Sequence, residues 1–396
     1  MKAKKGMRTF CMLMILALAG MILVPAVSAM DVKTVEKYEV SPEDTYLIAQ
    51  QTLDEFISSG ALDDKIFADS ELSKKPLIIY DPNGLLLFYQ YEITEDGKNI
   101  GQIRMAASKV LGSPVIMIQE TPDSINYEDA ITESEEILKS AFKDLEYSEP
   151  VLVCYSYPRI GIMYEIANKA DETEKVIIDA TEMFIVSDEY PKNSGDIGVW
   201  SLYDYITQDQ VADNVKNWND AAEINEFDTS TKASKSFHYN TLWAAANLEP
   251  QTNGVWCAVA SAKMIAYWYG TSHSLSYIAD VMGAWDYSTS PPTPAGVTDS
   301  EEIYYYDEAS NGLQMDADRI SSNYFIWDDF MDHIDNDDVT TSSIPGHTRA
   351  SDGYGYYDSG EKYLHIYDPG YPDVNTGSRY WESLTGVTKT SYIFVT

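Results

Sequence analysis

The stretch from residue 258 to residue 269 constrains the fold more than any other part of this chain. It is mostly apolar, contains neither glycine nor proline, and stops at Gly270. This pattern is typical of a helix that is buried on most of its sides and ended by a glycine. A cysteine, Cys257, stands immediately before it. The sequence therefore predicts a buried helix, residues 258–269, with a thiol at its N-terminus.

The position of Cys257 favours nucleophilic thiol chemistry. A thiol attacks a carbonyl as its thiolate, and a helix N-terminus and a nearby imidazolium both stabilise that anion. Gln251 precedes the cysteine by a short loop that contains Asn253-Gly254, which can turn its side-chain amide back toward the helix. The backbone N–H of Cys257 and the amide of Gln251 are the candidate donors to an oxyanion.

His347 is the candidate base among the five histidines. It alone combines a preceding glycine with a following strand pattern. Residues 348–356 and 362–367 indicate two strands joined around Ser359, and a hairpin centred there brings Asp368 within a few residue pairs of His347. Asp368 is thus the candidate that orients the imidazole. Asp352 and Asn375 are alternatives for that role.

A structural role for Cys257 is the main alternative. Only Cys154 and Cys257 follow the first thirty residues, and two cysteines in an oxidising compartment can form a disulfide. Such a bond would remove the nucleophile. Cys154 lies in an apolar strand pattern, however, which favours an inert buried thiol.

The first 29 residues predict export. Four basic residues precede an apolar stretch from residue 12 to residue 24, and Val27-Ser28-Ala29 is typical of a cleavage site. The apolar stretch is short for a bilayer span and is interrupted by Gly20 and followed by Pro25. We expect a secreted or cell-surface protein with no stable membrane insertion after the signal is removed.

The charge excludes nucleic acid as an expected partner. The net charge is −36 with a pI of about 4.2, and loss of the basic signal makes the chain more negative still. Nucleic acid phosphates would meet a like-charged surface. Nothing in the motifs predicts a cofactor or a metal.

The N-terminal half contains a weak internal repeat, which predicts a helix followed by an antiparallel meander, twice. The first helix begins after the N-cap Ser41 with Pro42 and ends at Gly60. The second runs from about residue 132 to residue 142. Strands are predicted at residues 76–80, 87–93, 100–107, 150–153, 162–166, 176–179 and 183–187. Part of the second copy, including Asp179-Ala180, resembles PepSY modules, which implies an inhibitory or chaperoning role toward a peptidase.

The predicted class is α+β, with five segments along the chain. These are a signal peptide (1–29), a first helix-plus-sheet module (30–120), a second such module (121–190), a connector (191–235) and a C-terminal domain (236–396). The connector is rich in turn residues and contains a polar run at 228–235, where we expect any maturation cleavage.

Residues 236–396 resemble the papain-fold cysteine peptidases, in particular the bacteriocin-leader-processing peptidases and streptopain. The resemblance is carried by the segment from Gln251 to Met264, by Trp327-Asp328-Asp329-Phe330, by Gly346-His347 and by Tyr367-Asp368-Pro369. It implies a central helix on an antiparallel sheet, with Cys257 as nucleophile, His347 as base and acid, Asp368 as orienting group and Gln251 as oxyanion donor. The implied substrate is a peptide or protein.

Two other kinds of function are compatible with this sequence, one that uses the same catalytic residues and one without catalysis. A transglutaminase or a cell-wall peptide amidase would share the thiol chemistry. A surface or adhesion protein could retain the fold without catalysis. Residues 30–200 are expected either to inhibit a peptidase domain within the same chain or to serve as a surface-display or spacer region.

Overall fold

The computed structural model describes residues 30–122, 125–143, 145–167, 173–223 and 236–396. The predicted signal peptide and the predicted cleavage run at 228–235 lie outside the described residues. Within them, no helix has the length and apolar character needed to cross a membrane.

The described chain has an α+β fold, which confirms the predicted class. Its helices are α1 (Val32–Lys37), α2 (Pro42–Ser59), α3 (Asp64–Phe67), α4 (Tyr127–Ala141), α5 (Val211–Glu223), α6 (Cys257–Trp268), α7 (Leu275–Met282), α8 (Asp299–Ile303) and α9 (Trp327–Asp335). A π-helical turn, Tyr304–Glu308, continues α8.

The strands fall into an N-terminal and a C-terminal set. The first comprises β1 (Glu71–Leu72), β2 (Leu77–Tyr80), β3 (Leu86–Glu95), β4 (Lys98–Ala106), β5 (Val115–Gln119), β6 (Glu146–Tyr147), β7 (Val151–Ser156), β8 (Arg159–Ala167) and β9 (Thr173–Asp179). The second comprises β10 (Phe237–Thr241), β11 (Trp285–Asp286), β12 (Thr293–Pro294), β13 (Ala317–Ser321), β14 (Val339–Ile344), β15 (His347–Tyr357), β16 (Lys362–Asp368), β17 (Ser378–Ser383) and β18 (Ser391–Val395).

One sheet of 16 strands runs through both sets. Its order is β13-β18-β14-β15-β16-β17-β5-β4-β3-β2-β7-β8-β6, with β1, β9 and β10 paired at its sides. Its pairs are antiparallel except β2 with β7, which is parallel. The junction is β17 with β5, where Trp381 lies opposite Ile118. The N-terminal strands therefore extend the same sheet that carries the C-terminal strands.

The helix predictions agree closely with the structure. The side chain of Ser41 accepts the N–H of Asp44 at 3.1 Å, and Gly60 ends α2 in the left-handed conformation at φ 84°. The helix predicted at 132–142 begins five residues earlier, after the N-cap Asn126. An acceptor side chain thus sets the start of both helices, and a glycine sets the end of α2.

The strand predictions differ from the structure in two ways. No strand forms at 183–187, where Ile185 makes a single isolated bridge to Ile178. Conversely, several strands form where the sequence predicts none, namely β10, β13, β14, β17, β18 and the fully buried β5. The reason is clearest for β5. Its five residues carry no alternation because both of its faces are covered, which removes the pattern that marks a half-exposed strand.

The helix α6 packs against the C-terminal strands. Its residues Ala258, Val259, Ala262 and Ile265 are almost fully buried in a core shared with β14, β15 and β18. Small side chains on this helix let it approach the sheet closely. This packing sets the N-terminal end of α6 beside the first residues of β15.

Candidate active site

Cys257 is the first residue of α6 and is 1% exposed. The preceding Trp256 anchors this end of the helix, because its indole Nε1 donates to the carbonyl of Ala284 at 3.1 Å. N–H groups in the first turn of a helix lack intrahelical acceptors and point outward along the axis. The thiol therefore lies where the helix favours negative charge.

His347 is held by a tight hairpin between β14 and β15. Ile344 pairs directly with His347, so Pro345 and Gly346 form a two-residue turn. Proline sets the first turn position, and Gly346 has a φ of 75°, which only glycine adopts without strain. The sequence Pro-Gly before the histidine thus fixes the start of β15.

Asp368, the last residue of β16, binds the imidazole directly. Its Oδ1 lies 2.7 Å from His347 Nε2 and also accepts the backbone N–H groups of Gly370 and Tyr371, at 2.9 and 3.1 Å. Its Oδ2 accepts the hydroxyl of Tyr380 at 2.8 Å. These hydrogen bonds fix the orientation of the carboxylate. Because Nε2 of the ring is bound to Asp368, Nδ1 is the ring nitrogen that remains available to the thiol.

Neither of the two alternative partners, Asp352 and Asn375, is seen to bind His347. Asp352 instead binds His365, with Oδ1 2.7 Å from its Nδ1. Asn375 lies in an exposed turn beside Asp373. The ring of His347 is therefore oriented by Asp368.

The hairpin register explains why Asp368 reaches the histidine. Tyr356 pairs with Lys362 and Ala350 with Tyr367, with a bulge between Ser351 and Gly353. The regular hairpin expected from the sequence lacks this bulge, which shifts the pairing by one residue.

The thiol and the imidazole form a coupled pair. The imidazole of His347 acts electrostatically on the thiol of Cys257, and the N–H of Thr348 lies 3.5 Å from the sulfur. Burial alone would raise the pKa of the thiol, but the facing imidazolium lowers it below its ordinary value overall. Burial likewise disfavours the imidazolium, yet Asp368 and the thiolate raise the pKa of His347 to about 9. Both shifts favour the thiolate–imidazolium form over the neutral pair.

Asp368 is in turn supported by a buried charge network. Arg349 donates to Glu382 at 2.6 Å and to the hydroxyl of Tyr380 at 3.2 Å. Lys389 lies 3.2 Å from the same glutamate. Burial alone would raise the pKa of Asp368. The charges of His347 and then Arg349 outweigh burial, so the pKa lies below its ordinary value and the carboxylate form is favoured. Sequence reasoning missed this network because its members are scattered along the chain.

The N-terminal half also contributes a charge to the site. Arg159 follows the cis Tyr157-Pro158 bond at the start of β8. Burial disfavours its cation, but neighbouring groups, among them Asp368 and Cys257, raise its pKa. Through these charge interactions the N-terminal half is part of the electrostatic surroundings of the site.

Gln251 is buried and is held by one contact to the segment after β16 and one within its own loop. Its backbone N–H donates to the carbonyl of Pro369 at 2.8 Å, and its Nε2 donates to the carbonyl of Asn253 at 2.7 Å. An amide nitrogen carries two hydrogens, so one remains for another acceptor. Its side chain also packs against Gly370, where a Cβ would lie 2.6 Å from Oε1.

A segment from the connector covers the thiol. We call residues 192–196 the cleft segment. Its Ser194 Oγ lies 3.2 Å from the sulfur of Cys257. The carboxylate of Asp196 accepts the backbone N–H groups of the first two residues of the segment, at 3.0 and 2.8 Å, and so closes a turn. The sequence showed only a turn-rich stretch here.

The disulfide alternative does not occur. Cys154 and Cys257 are both free and buried. Burial raises the pKa of Cys154 to about 12, although the charge of Arg104 opposes this shift. The pKa of Cys154 is therefore raised and that of Cys257 is lowered, so Cys257 ionises more readily than Cys154.

Comparison with protein-family models found no match, and comparison with curated proteins found none either. Within the described ranges, no group of three histidine, cysteine or acidic residues is arranged to hold a metal ion.

Proposed function

We propose that this chain is a secreted cysteine peptidase with a papain-like C-terminal domain. The single observation that supports this most is the contiguous set Cys257, His347 and Asp368, with the thiol at the start of a buried helix. Cys257 attacks the peptide carbonyl and His347 protonates the departing amine. Water then hydrolyses the thioester, with the same ring as base.

The oxyanion donors in this proposal are the backbone N–H of Cys257 and Gln251. The first belongs to the N-terminal turn of α6, where no intrahelical acceptor is available. The second keeps one amide hydrogen after its bond to Asn253. Donors at such positions stabilise the charge that develops on the carbonyl oxygen.

We further propose that the region 30–200 inhibits the peptidase within the same chain. The support is the cleft segment, whose Ser194 contacts the sulfur, together with the 1% exposure of Cys257. A substrate carbonyl cannot approach the thiol until that segment leaves. The Asp196→Ala substitution removes two of its hydrogen bonds and should loosen it.

The test compares hydrolysis of an unfolded, dye-labelled protein by the full-length Asp196→Ala chain with and without Cys257→Ala. We expect the second substitution to lower the rate by a factor of about 10³ or more, because the nucleophile is lost. Cys154→Ala is the matched control and should leave the rate unchanged. Equal rates with and without Cys257 would refute the proposal and favour a surface protein without catalysis.

The same assay distinguishes a peptidase from a related thiol acyl transferase. Adding a primary amine should leave hydrolysis as the main outcome for a peptidase. Stable incorporation of the amine into the substrate, with little hydrolysis, would favour the transglutaminase-like alternative.

A further inference from the structure

The cleft segment is held by its backbone from both sides. Ser194 exchanges two hydrogen bonds with Val297, N–H to carbonyl in each direction, both at 3.0 Å. The N–H of Gly195 donates to the carbonyl of Gly346 at 2.9 Å, next to His347. Main-chain bonds of this kind do not depend on side-chain identity. The two walls of the cleft therefore offer a general binding place for a peptide backbone.

The segment turns out of the cleft directly after Gly195. This residue has a φ of 94°, and a Cβ on it would lie 2.1 Å from the carbonyl oxygen of Val255. The N–H of Asp196 donates to the carbonyl of Asn193 at 3.1 Å, which closes the turn. The segment thus resembles a bound peptide up to Gly195 and then departs from an extended path.

The side chain of Ser194 enters a pocket built of polar groups. Its Oγ lies 2.7 Å from Thr348 Oγ1 and 3.2 Å from the sulfur of Cys257, so its single proton serves one of them at a time. Thr348 Oγ1 also donates to Glu302 Oε1 at 3.1 Å and lies 3.1 Å from Ser343 Oγ.

Glu302 makes this pocket unusual. Both Glu302 and Thr348 are 0% exposed, and within the described chain the second carboxyl oxygen, Oε2, has no hydrogen-bond partner. Burial raises the pKa of Glu302 well above its ordinary value, which favours the neutral acid. An apolar side chain in this pocket would remove the hydrogen bond from Ser194 to the buried Thr348 hydroxyl without replacing it, which disfavours that side chain relative to serine.

We propose that this pocket selects a serine in the peptide substrate and that Ser194 occupies it as an internal copy of that residue. Thr348 contacts the selected hydroxyl, and Glu302 is a positioning residue that acts through Thr348. The proposal rests on the proposed peptidase function for the chemistry, but the pocket is tested by binding alone.

The test uses full-length Cys257→Ala, Asp196→Ala protein and acetylated Lys-Asn-Ser-Gly-amide, which copies residues 192–195. A matched peptide has leucine in place of serine. We expect calorimetry to show at least about tenfold tighter binding of the serine peptide, equivalent to one hydrogen bond of about 1.4 kcal/mol. Gly195→Val is a second way to open the cleft, since its side chain cannot fit against Val255.

Variants of the pocket test the assignment of roles. Thr348→Val should reduce the preference for serine to within about twofold. Glu302→Leu should do the same, whereas Glu302→Gln, which keeps an acceptor oxygen, should retain it. The control is Thr340→Val, the same change at a buried threonine whose hydroxyl has no partner within the described residues. It should change nothing.

Three results would overturn the inference. These are equal binding of the two peptides, a serine preference that survives Thr348→Val, and no binding to either opened variant.

Hydrolysis by the opened chain with Cys257 intact is measured separately. Hydrolysis without serine preference would reject the pocket but keep the peptidase. Serine-selective binding without hydrolysis would keep the pocket and reject the peptidase.

Discussion

Asp368 controls what the imidazole of His347 can do. Its carboxylate accepts two backbone N–H groups and a tyrosine hydroxyl besides the ring. With so many donors it cannot rotate, and it holds Nδ1 toward the thiol. The negative charge also opposes the cost of burying an imidazolium, which is why the pKa of His347 is raised to about 9.

The substitution Asp368→Asn tests this role. An amide keeps the shape but loses the charge, so the pKa of His347 should fall and less of Cys257 should be thiolate at pH 7. Since one pKa unit is a tenfold change in that ratio, we expect alkylation of Cys257 by iodoacetamide to slow at least about tenfold. The comparison is made in the Asp196→Ala background, with Asp373→Asn as control. An unchanged rate and pH profile would show that Asp368 has no part in activation.

At the scale of elements, the junction of β17 and β5 is reinforced by a second histidine site. His365 on β16 lies between Asp352 and Glu120, at 2.7 and 2.8 Å from its two ring nitrogens. Glu120 follows β5 and also pairs with Arg379 at 2.9 Å. Burial disfavours the imidazolium, but the two carboxylates raise the pKa of His365 to about 9.

This site predicts a pH-dependent contribution to stability. The folded pKa lies above the ordinary value of 6.5, so the contribution is complete below pH 6.5 and is lost as the pH rises through about 9. At pH 6.5 we expect His365→Gln to lower the free energy of unfolding by about 3 kcal/mol, because it leaves buried carboxylates without their cation. Urea titrations should show this difference shrinking by pH 9.5. His238→Gln, at an exposed histidine, should show neither effect, and a pH-independent loss at His365 would contradict the assignment.

At the scale of the whole molecule, the shared sheet makes the two halves depend on each other. Trp381 on β17 is fully buried, and its ring lies 5.8 Å from that of Phe56 on α2. Arg104 on β4 donates to the hydroxyl of Tyr371 at 3.0 Å, close to Asp368 in sequence. Cutting the connector leaves these contacts intact, whereas removing the N-terminal half exposes them.

We therefore expect the isolated fragment 236–396 to be less stable than the full chain. An exposed β17 edge and an exposed Trp381 favour association between copies, and loss of the burial of that tryptophan alone costs about 3 kcal/mol. Size-exclusion chromatography and urea unfolding of the fragment, alone and with residues 30–223 added, measure this. A monomeric fragment as stable as the full chain would show that the shared sheet is dispensable.

The sequence by itself determined the features that depend on neighbouring residues. The ends of α2, the C-terminal end of α6, the Pro345-Gly346 turn and the hairpin that brings Asp368 to His347 all follow from caps, turns and alternation over short distances. Only the tertiary structure decided the rest, namely the continuous sheet through β5, the Arg349–Glu382 network and the cleft segment over Cys257. These contacts join residues far apart in the chain, and their energy comes from burial and charge pairing, which leave no local pattern to detect.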